Sequence, residues 1–391
     1  MLDSEAFPDE RTPMDVARNL DLATPLSRKS CFLFGPRQCG KTWLLKRALP
    51  GARIFDLLSA ETFARLTSRP EYLGEACTDG APVVIDEIQK APGLLDEVHR
   101  LIEERGLRFL LTGSSARKLR RGGMNLLGGR ARELHLHPFS ASELGRGFSL
   151  DRALNVGLLP GLWFSDEPEE DLRDYVGVYL REEIAAEGAT RNLPAFGRFL
   201  EVAALCDGQR LNFAKISRDA QVARSTVQEY FGILEDTLLA SQLPPWRASR
   251  RRKAVATPKF YLFDHGVARI LQGRGRLAPG TPEYGNAFEN WVHHELRCRL
   301  DAVRSREPLA YWRTEEGLEV DFLVGEKTAI EAKARRAVDK DDLRGLRELR
   351  KEGAFKRFVV ASLEPRPRVV DGIEILPWRV FVDRLWSGDF D

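Results

Sequence analysis

Gly35-Pro36-Arg37-Gln38-Cys39-Gly40-Lys41-Thr42 decides the fold of the first third of this chain. Glycines at 35 and 40 let the backbone curl so that successive amide hydrogens face a β-phosphate. Lys41 reaches the β- and γ-phosphates, and Thr42 offers a hydroxyl to magnesium. A helix that begins at the loop adds the positive end of its dipole. The motif requires a strand before it and a helix after it. Residues 30–34 read as that strand and Trp43-Leu44-Leu45 as the opening of that helix. Every residue from Gly35 to Thr42 is therefore a candidate nucleotide contact. Cys39 lies beside amides and a helix N-terminus that favour a thiolate, so a redox role stands next to the plainer reading of an inert small residue.

Working outward, short apolar runs at 53–57, 83–85, 109–111 and 133–137 alternate with amphipathic stretches, the pattern of a parallel sheet with crossover helices. The run at 83–85 ends in Asp86 and Glu87, which places Asp86 to hold the water shell of a magnesium ion and Glu87 to activate water. The run at 109–111 ends in Thr112-Gly113-Ser114-Ser115, where Thr112 and Ser114 are equally placed to sense a γ-phosphate. Residues 140–191 turn helical, with Leu172, Val176, Tyr179 and Leu180 three or four apart, as in a small lid.

Residues 193–243 contain a helix-turn-helix pattern: a helix at 213–221, a turn through Val222-Ala223-Arg224, and Ser225 as the cap of the next helix. That helix, expected over 226–240, places Val227, Tyr230, Phe231, Leu234, Leu238 and Leu239 on one stripe. Its exposed face, with Gln228, Glu229, Glu235 and Asp236, would repel phosphates. Trp246, Arg247 and the run Arg250-Arg251-Arg252-Lys253 precede the strand-like Phe260-Tyr261-Leu262-Phe263. That order predicts a winged helix whose basic run is either a phosphate contact or a solvated loop. A Gly-, Pro- and Arg-rich stretch at 273–282 reads as a linker. A helix at 284–300 then leads to strands near 309–313, 318–324, 328–334 and 357–362.

The strands at 318–324 and 328–334 flank Gly325-Glu326-Lys327, a three-residue hairpin loop. Counting from it, residue 324 faces 328, Phe322 faces Ile330 and Val320 faces Ala332 on an apolar face. Asp321 then faces Glu331, and Glu319 faces Lys333, on the other. Two carboxylates with a lysine two residues on are what a magnesium-dependent phosphodiesterase needs, and Glu289 on the preceding helix offers a third. The competing reading is a solvated or DNA-docking face.

The loop, Ile85-Asp86-Glu87-Ile88-Gln89, Leu111-Thr112-Gly113-Ser114, and Leu127-Gly128-Gly129-Arg130 followed by Pro138-Phe139-Ser140 together resemble the bacterial and archaeal AAA+ ATPases that carry a C-terminal domain of unknown function related to PD-(D/E)XK nucleases. The resemblance runs from about Leu26 to the end. It implies an AAA+ nucleotide site, a helical lid and a winged helix. Asp321, Glu331-Ala332-Lys333 and Glu289 match the nuclease core pattern, with Glu289, Asp321 and Glu331 as metal ligands. Arg130, with Arg132 as its competitor, is the arginine placed to reach a γ-phosphate in cis or from a neighbouring subunit, and a role in trans implies a homo-oligomer.

Composition bounds the rest. At 391 residues the chain is too long for one core. The expected units are a P-loop core over 1–139, a lid over 140–191, a winged helix over 192–272 and a nuclease-like domain over 281–391. Hydrophobic residues at 43% and charged residues at 30% suit a folded, non-membrane protein. The 60 basic and 58 acidic residues nearly cancel, so any argument for DNA must be local. Five cysteines without metal-ligand spacing, and no secretory or membrane-spanning stretch, point to the cytoplasm. The expectation is a multidomain α/β ATPase using ATP and Mg2+. It either acts on DNA or is a slow nucleotide-dependent switch with an inactive docking domain.

Overall fold

The computed structural model describes residues 16–77, 81–115, 126–179, 192–246 and 257–390. Five parallel strands, β1 (Ser30–Phe34), β2 (Arg53–Asp56), β3 (Val83–Asp86), β4 (Phe109–Gly113) and β5 (Ala131–His135), form the first sheet in the order β2-β3-β4-β1-β5. β1, β3 and β4 are buried along their whole length. Helices on both faces do this, which is why those strands read as unbroken apolar runs. β5 begins and ends two residues earlier than its apolar run implied.

The segment expected as a lid forms short helices, Ala141–Leu144, Leu150–Val156, Pro160–Trp163 and Pro168–Asp174. A capping box between Ser140 and Glu143 starts the first. Two cores divide this segment. Leu144, Phe148, Leu154 and Trp163 pack with Phe288, Trp291 and Phe381 far down the chain, whereas Leu159, Leu162 and Leu172 pack with Phe199, Tyr230 and Phe231. Leu172 and Val176 are buried as their spacing required, while Leu180 lies outside the described residues.

Three helices, Leu193–Ala204, Phe213–Ala220 and Arg224–Asp236, stand against an antiparallel sheet of β6 (Gln209–Arg210), β7 (Ala240–Leu243) and β8 (Lys259–Leu262), ordered β6-β8-β7. The second helix stops at Gln221, whose φ of 55° is left-handed. The third starts at Arg224 behind Ala223, so Ser225 is not its cap. It also ends at Asp236 and not at 240, because Leu238 turns to a φ of 61° and the chain enters β7. Glu235 is not on an open face either. It accepts the Gln242 N–H at 3.2 Å and its Nε2 at 2.9 Å, and burial raises its carboxyl's pKa. Arg247 and the run Arg250 to Lys253 lie outside the described residues.

The last sheet runs β13 (Arg368–Val370), β14 (Ile373–Pro377), β12 (Arg357–Ser362), β11 (Thr328–Lys333), β10 (Glu319–Val324), β9 (Leu309–Arg313). β9, β10 and β11 are antiparallel neighbours, while β11, β12 and β14 run parallel. The long helix Pro282–Ala302 and the terminal helix Trp378–Ser387 cover one face, and Arg344–Lys351 covers the other. The end of β7 is stitched to β9: Tyr311 N–H donates to Pro244 O at 3.0 Å, and Trp246 N–H donates to Tyr311 O at 2.6 Å.

Candidate functional site

The helix Lys41–Ala48 begins directly behind Gly40, whose φ of 92° favours glycine. Gly35 is required for a different reason than loop curvature alone. A Cβ there would lie 2.4 Å from the Leu136 carbonyl oxygen, so the loop and the exit of β5 touch backbone to backbone. Lys41 is buried and donates to Gly35 O at 2.7 Å and Pro36 O at 3.0 Å, folding its ammonium over the loop it serves.

Thr42 Oγ1 donates to Asp86 Oδ2 at 3.0 Å, and Thr112 Oγ1 donates to Asp86 Oδ1. Adjacent ligands in a magnesium octahedron, each about 2.1 Å from the ion, are about 3.0 Å apart. The Thr42 and Asp86 oxygens have that spacing, so they fit a magnesium ion. Thr112 is fully buried and also accepts the Glu87 N–H at 3.1 Å, so it supports both acids. Glu87 has a left-handed φ of 62° that turns its side chain out of the strand, where Gln89 Nε2 donates to it. The same Gln89 nitrogen donates to Ser114 Oγ at 3.2 Å, so Ser114 is tied to Glu87 and Thr112 to Asp86.

Cys39 is fully buried, and burial raises its pKa despite Lys41 and Arg18 nearby. A thiolate is therefore disfavoured, which favours the reading of Cys39 as an inert small residue of the loop. Arg130 is corrected as a residue acting in cis. Ser30 pairs with Ala131, which puts Arg130 beside the beginning of β1, at the end of the strands opposite the loop, where it binds Glu103.

Sequence reading missed two neighbours of the loop. Arg18 donates to Cys39 O at 2.7 Å, His137 O at 2.6 Å and Glu143 Oε1 at 3.0 Å. A Cβ on Gly40 would lie 3.9 Å from Pro160 Cγ, and one on Gly161 would lie 4.0 Å from Gln38 Oε1, so the start of a lid-segment helix sits close over the loop. No local pattern marks either contact.

In the C-terminal part the hairpin register holds for Val324↔Thr328, Leu323↔Ala329 and Phe322↔Ile330, and then departs from the expectation. Asp321 does not pair with Glu331 across the ladder. Its Oδ2 instead accepts the Ala332 N–H at 3.0 Å, and a register shift against β9 falls between Val320 and Leu323. That shift sends Val320 to the core of Leu323 and Ala329, away from Phe322 and Ala332. Glu319 meets Arg313 at 2.5 Å and not Lys333, which lies 2.5 Å from Glu331.

Glu289 does approach Asp321 from its helix, but Lys259 joins them. Its Nζ lies 2.7 Å from Glu289, 2.6 Å from Glu319 and 3.2 Å from Asp321, and the Tyr261 hydroxyl donates to Glu289 at 2.6 Å. Burial, with Asp321 nearby, raises the Glu289 pKa to about 7, and the same two causes raise Glu331 to about 8. Burial alone would also raise Asp321, yet the ammonium groups of Lys259 and Lys333 hold it below the usual carboxylate range. Among the described residues no three His, Cys, Asp or Glu side chains are arranged to hold a metal ion. The expectation of Glu289, Asp321 and Glu331 as a joint metal site is corrected accordingly. As placed, these residues do not fit a divalent ion, because an ammonium stands among the carboxylates.

All five cysteines are free, and no described helix is long and apolar enough to cross a membrane. Residues 27–145 match the family described as an AAA domain, and residues 147–277 and 284–381 match two domains of unknown function, DUF8612 and DUF4143. The chain is 28% identical over 338 residues to an uncharacterized protein of Mycobacterium tuberculosis, covering 79% of this chain and 75% of that one. An uncharacterized protein of Haemophilus influenzae is 24% identical over 234 residues, 55% of this chain and 57% of that protein. Among solved structures, the Aeropyrum pernix ORC1 protein in complex with DNA matches at 16% identity and TM-score 0.29, covering 67% of this chain and 95% of that one. Thermotoga maritima RuvB matches at 14% identity and TM-score 0.28, covering 57% and 86%. Scores that low have no bearing on function. The AAA match, the parallel sheet and the loop together support a P-loop AAA+ ATPase domain at the N-terminal end of the chain.

Proposed function

We propose that this chain binds ATP with magnesium at the loop from Gly35 to Thr42 and hydrolyses it, using the energy of the nucleotide cycle to change contacts among its units. The observation that carries the reading is the convergence of Thr42 and Thr112 on Asp86, with Glu87 next in sequence. Thr42 and Asp86 would hold the ion, which supplies positive charge against the β- and γ-phosphate oxygens. Lys41 neutralises the same phosphates once its ammonium leaves the loop carbonyls. Glu87 accepts a proton from the attacking water, and Gln89, bridging Glu87 to Ser114, sets where that carboxylate points. Arg130, facing away from its own loop, has a phosphate to reach only in a neighbouring subunit of a homo-oligomer.

The helices and sheet over 192–272 are read as a winged helix and the last sheet as nuclease-like, so DNA is the proposed macromolecular partner and the cytoplasm the proposed location. The Lys259 contact favours a second reading in which the C-terminal domain is held inactive and the chain is a nucleotide-dependent switch. ATP turnover with and without duplex DNA, in unmodified and Glu87→Gln protein, tests both. DNA-stimulated turnover that Glu87→Gln removes supports action on DNA. Slow turnover indifferent to DNA supports the switch, and near-normal turnover in Glu87→Gln removes Glu87 as the base.

A further inference from the structure

The start of the nucleotide loop, the β5 exit, the β7–β8 pair and the helix Pro282–Ala302 meet around a cavity of about 100 Å³. An apolar cavity of about 150 Å³ takes up a benzene ring, and a single water needs only about 10–15 Å³. Gly35 and Pro36 form one side of this cavity, and Phe34, Leu238, Leu262 and Phe263 give it apolar walls. No aspartate or glutamate is among the described residues that line it.

Three nitrogen-bearing side chains of the lining make no hydrogen bond among the described residues. His293 is 5% exposed and stacks on Tyr261, with ring centres 4.1 Å apart, which fixes its ring and engages neither nitrogen. His135, at the end of β5, has the Phe34 ring centre 6.2 Å from its own. Arg297 meets Asp301 in an ion pair at 3.5 Å and is 39% exposed, which puts the one cation of the lining at the mouth. His137 and His294, by contrast, commit a ring nitrogen to Asp301 and to Phe139 O. Burial lowers the pKa of His135 and His293, and Arg297 adds to the effect, so each is neutral and offers one N–H donor. A carboxylate at the mouth would form charge-assisted bonds to the guanidinium, and a hydrocarbon body would cover the walls. An inorganic anion leaves those walls in contact with water, and an uncharged ring leaves the guanidinium unmet.

We propose that this cavity is an effector site for a small monocarboxylate with an apolar body of about the size of benzoate, and that its occupancy is felt by the nucleotide loop through Gly35 and Pro36. The site rests on its lining alone, whereas the coupling rests on the reading of the loop as an ATP site. Gly35 O and Pro36 O hold the Lys41 ammonium at 2.7 and 3.0 Å, and that ammonium must leave them to reach a phosphate. A ligand packed against these two residues selects the arrangement in which they hold Lys41, so it opposes ATP, and ATP opposes it by the same factor.

The test titrates the full chain, without nucleotide, with benzoate, inorganic phosphate and benzyl alcohol by calorimetry. Benzoate is expected to bind at one site, and the other two at least about 10-fold more weakly. Arg297→Gln changes a partly exposed side chain and should weaken benzoate roughly 10- to 100-fold. Ser241→Phe fills the cavity from β7 and should abolish benzoate binding. Saturating benzoate should weaken a fluorescent ATP analogue by about 5-fold or more, an effect absent in Ser241→Phe. No benzoate binding at millimolar concentration, or binding that survives Arg297→Gln, overturns the site. Phosphate binding as tightly as benzoate overturns the ligand class, and an analogue affinity that benzoate leaves unchanged overturns the coupling. Benzoate binding that Arg297→Gln weakens, in a chain that takes up no ATP analogue, leaves the site standing and removes the ATP reading instead.

Discussion

Replacing Arg18 with methionine tests whether the nucleotide loop is held from outside. The guanidinium and its partner Glu143 have side chains only 3% and 5% exposed, and the guanidinium lies 5.0 Å from the centre of the Phe139 ring. Breaking a buried ion pair by removing one member costs roughly 3–5 kcal/mol. Glu143 keeps two backbone partners, Asn19 N–H at 2.8 Å and Ser140 N–H at 3.0 Å, which puts the expected loss at the lower end, about 3 kcal/mol. The second effect is on binding. A trans peptide holds its C=O and N–H on opposite sides, so pinning the Cys39 carbonyl to Arg18 at 2.7 Å turns the Gly40 N–H toward the phosphate cradle. Losing one hydrogen bond to a charged group costs roughly 1.5–3 kcal/mol, which is about 10- to 100-fold in Kd. Denaturant unfolding and binding of a fluorescent ATP analogue, measured side by side on Arg18→Met, report the two effects separately. A folded variant with reduced stability and unchanged nucleotide affinity would refute the loop-orienting role and leave Arg18 as packing alone.

Glu87→Gln is expected to retain ATP while single-turnover hydrolysis falls by roughly 10²- to 10⁴-fold, the usual span for a lost general base. Gly35→Ala drives a Cβ against Leu136 O at 2.4 Å and Cys39 Sγ at 2.9 Å, one of them backbone that has little room to yield. A stability loss of roughly 1–3 kcal/mol and abolished nucleotide binding are expected, checked by the same two assays. Burial raises the Glu295 pKa to about 7 from the ordinary glutamate value of 4.5, although the Ala141 N–H and Trp386 Nε1–H both bond it. A raised carboxyl pKa in the folded state contributes stability that is fully present below pH 4.5 and fades as pH rises to about 7. Over that window Glu295→Gln should therefore flatten the pH dependence of unfolding by an amount on the order of 3 kcal/mol, and an unaltered slope counts against a protonated Glu295.

What was legible in the sequence follows from what is local. β1 with its loop and the β3 end at Asp86-Glu87 are each a continuous local pattern, and a buried parallel strand can only be an apolar run, so the strands that carry the candidate site could be read from the sequence. The hairpin register was legible for three pairs because a loop of three residues fixes it. It failed at Asp321 because a shift on the β9 side breaks the period-two alternation on which the count depended. Ser225 looked like a cap because serine caps helices well, yet the left-handed Gln221 ends the previous helix early enough for the next to start at Arg224. Arg18 and Pro160 reach the loop across long sequence separations and leave no periodic trace. Lys259 did leave one signal, a charge at the head of the apolar run Phe260-Tyr261-Leu262, and buried lysines of that kind are rare unless paired.

The helix Pro282–Ala302 gives these separate sites a common part. Near its C-terminal end, His294 bonds Phe139 O at 2.9 Å, Glu295 accepts the Ala141 N–H at 2.7 Å and Asp301 meets His137 at 2.6 Å. All three contacts fall on the segment just after β5, whose Leu136 carbonyl touches Gly35 of the loop. Near its N-terminal end Glu289 holds Lys259 at 2.7 Å. Twelve residues separate Glu289 from Asp301, about 18 Å of helix at 1.5 Å per residue. Burial keeps His294 neutral, with its pKa lowered to about 3, so its bond to Phe139 does not change across the physiological range. The His294 bond to the β5 exit is therefore unchanged by pH, whereas the attachment to Lys259 is a set of ion pairs to a different sheet. If phosphate binding shifts the β5 exit through Gly35, a rigid helix passes that shift to Glu289, and the contact with Lys259 is where it must be absorbed.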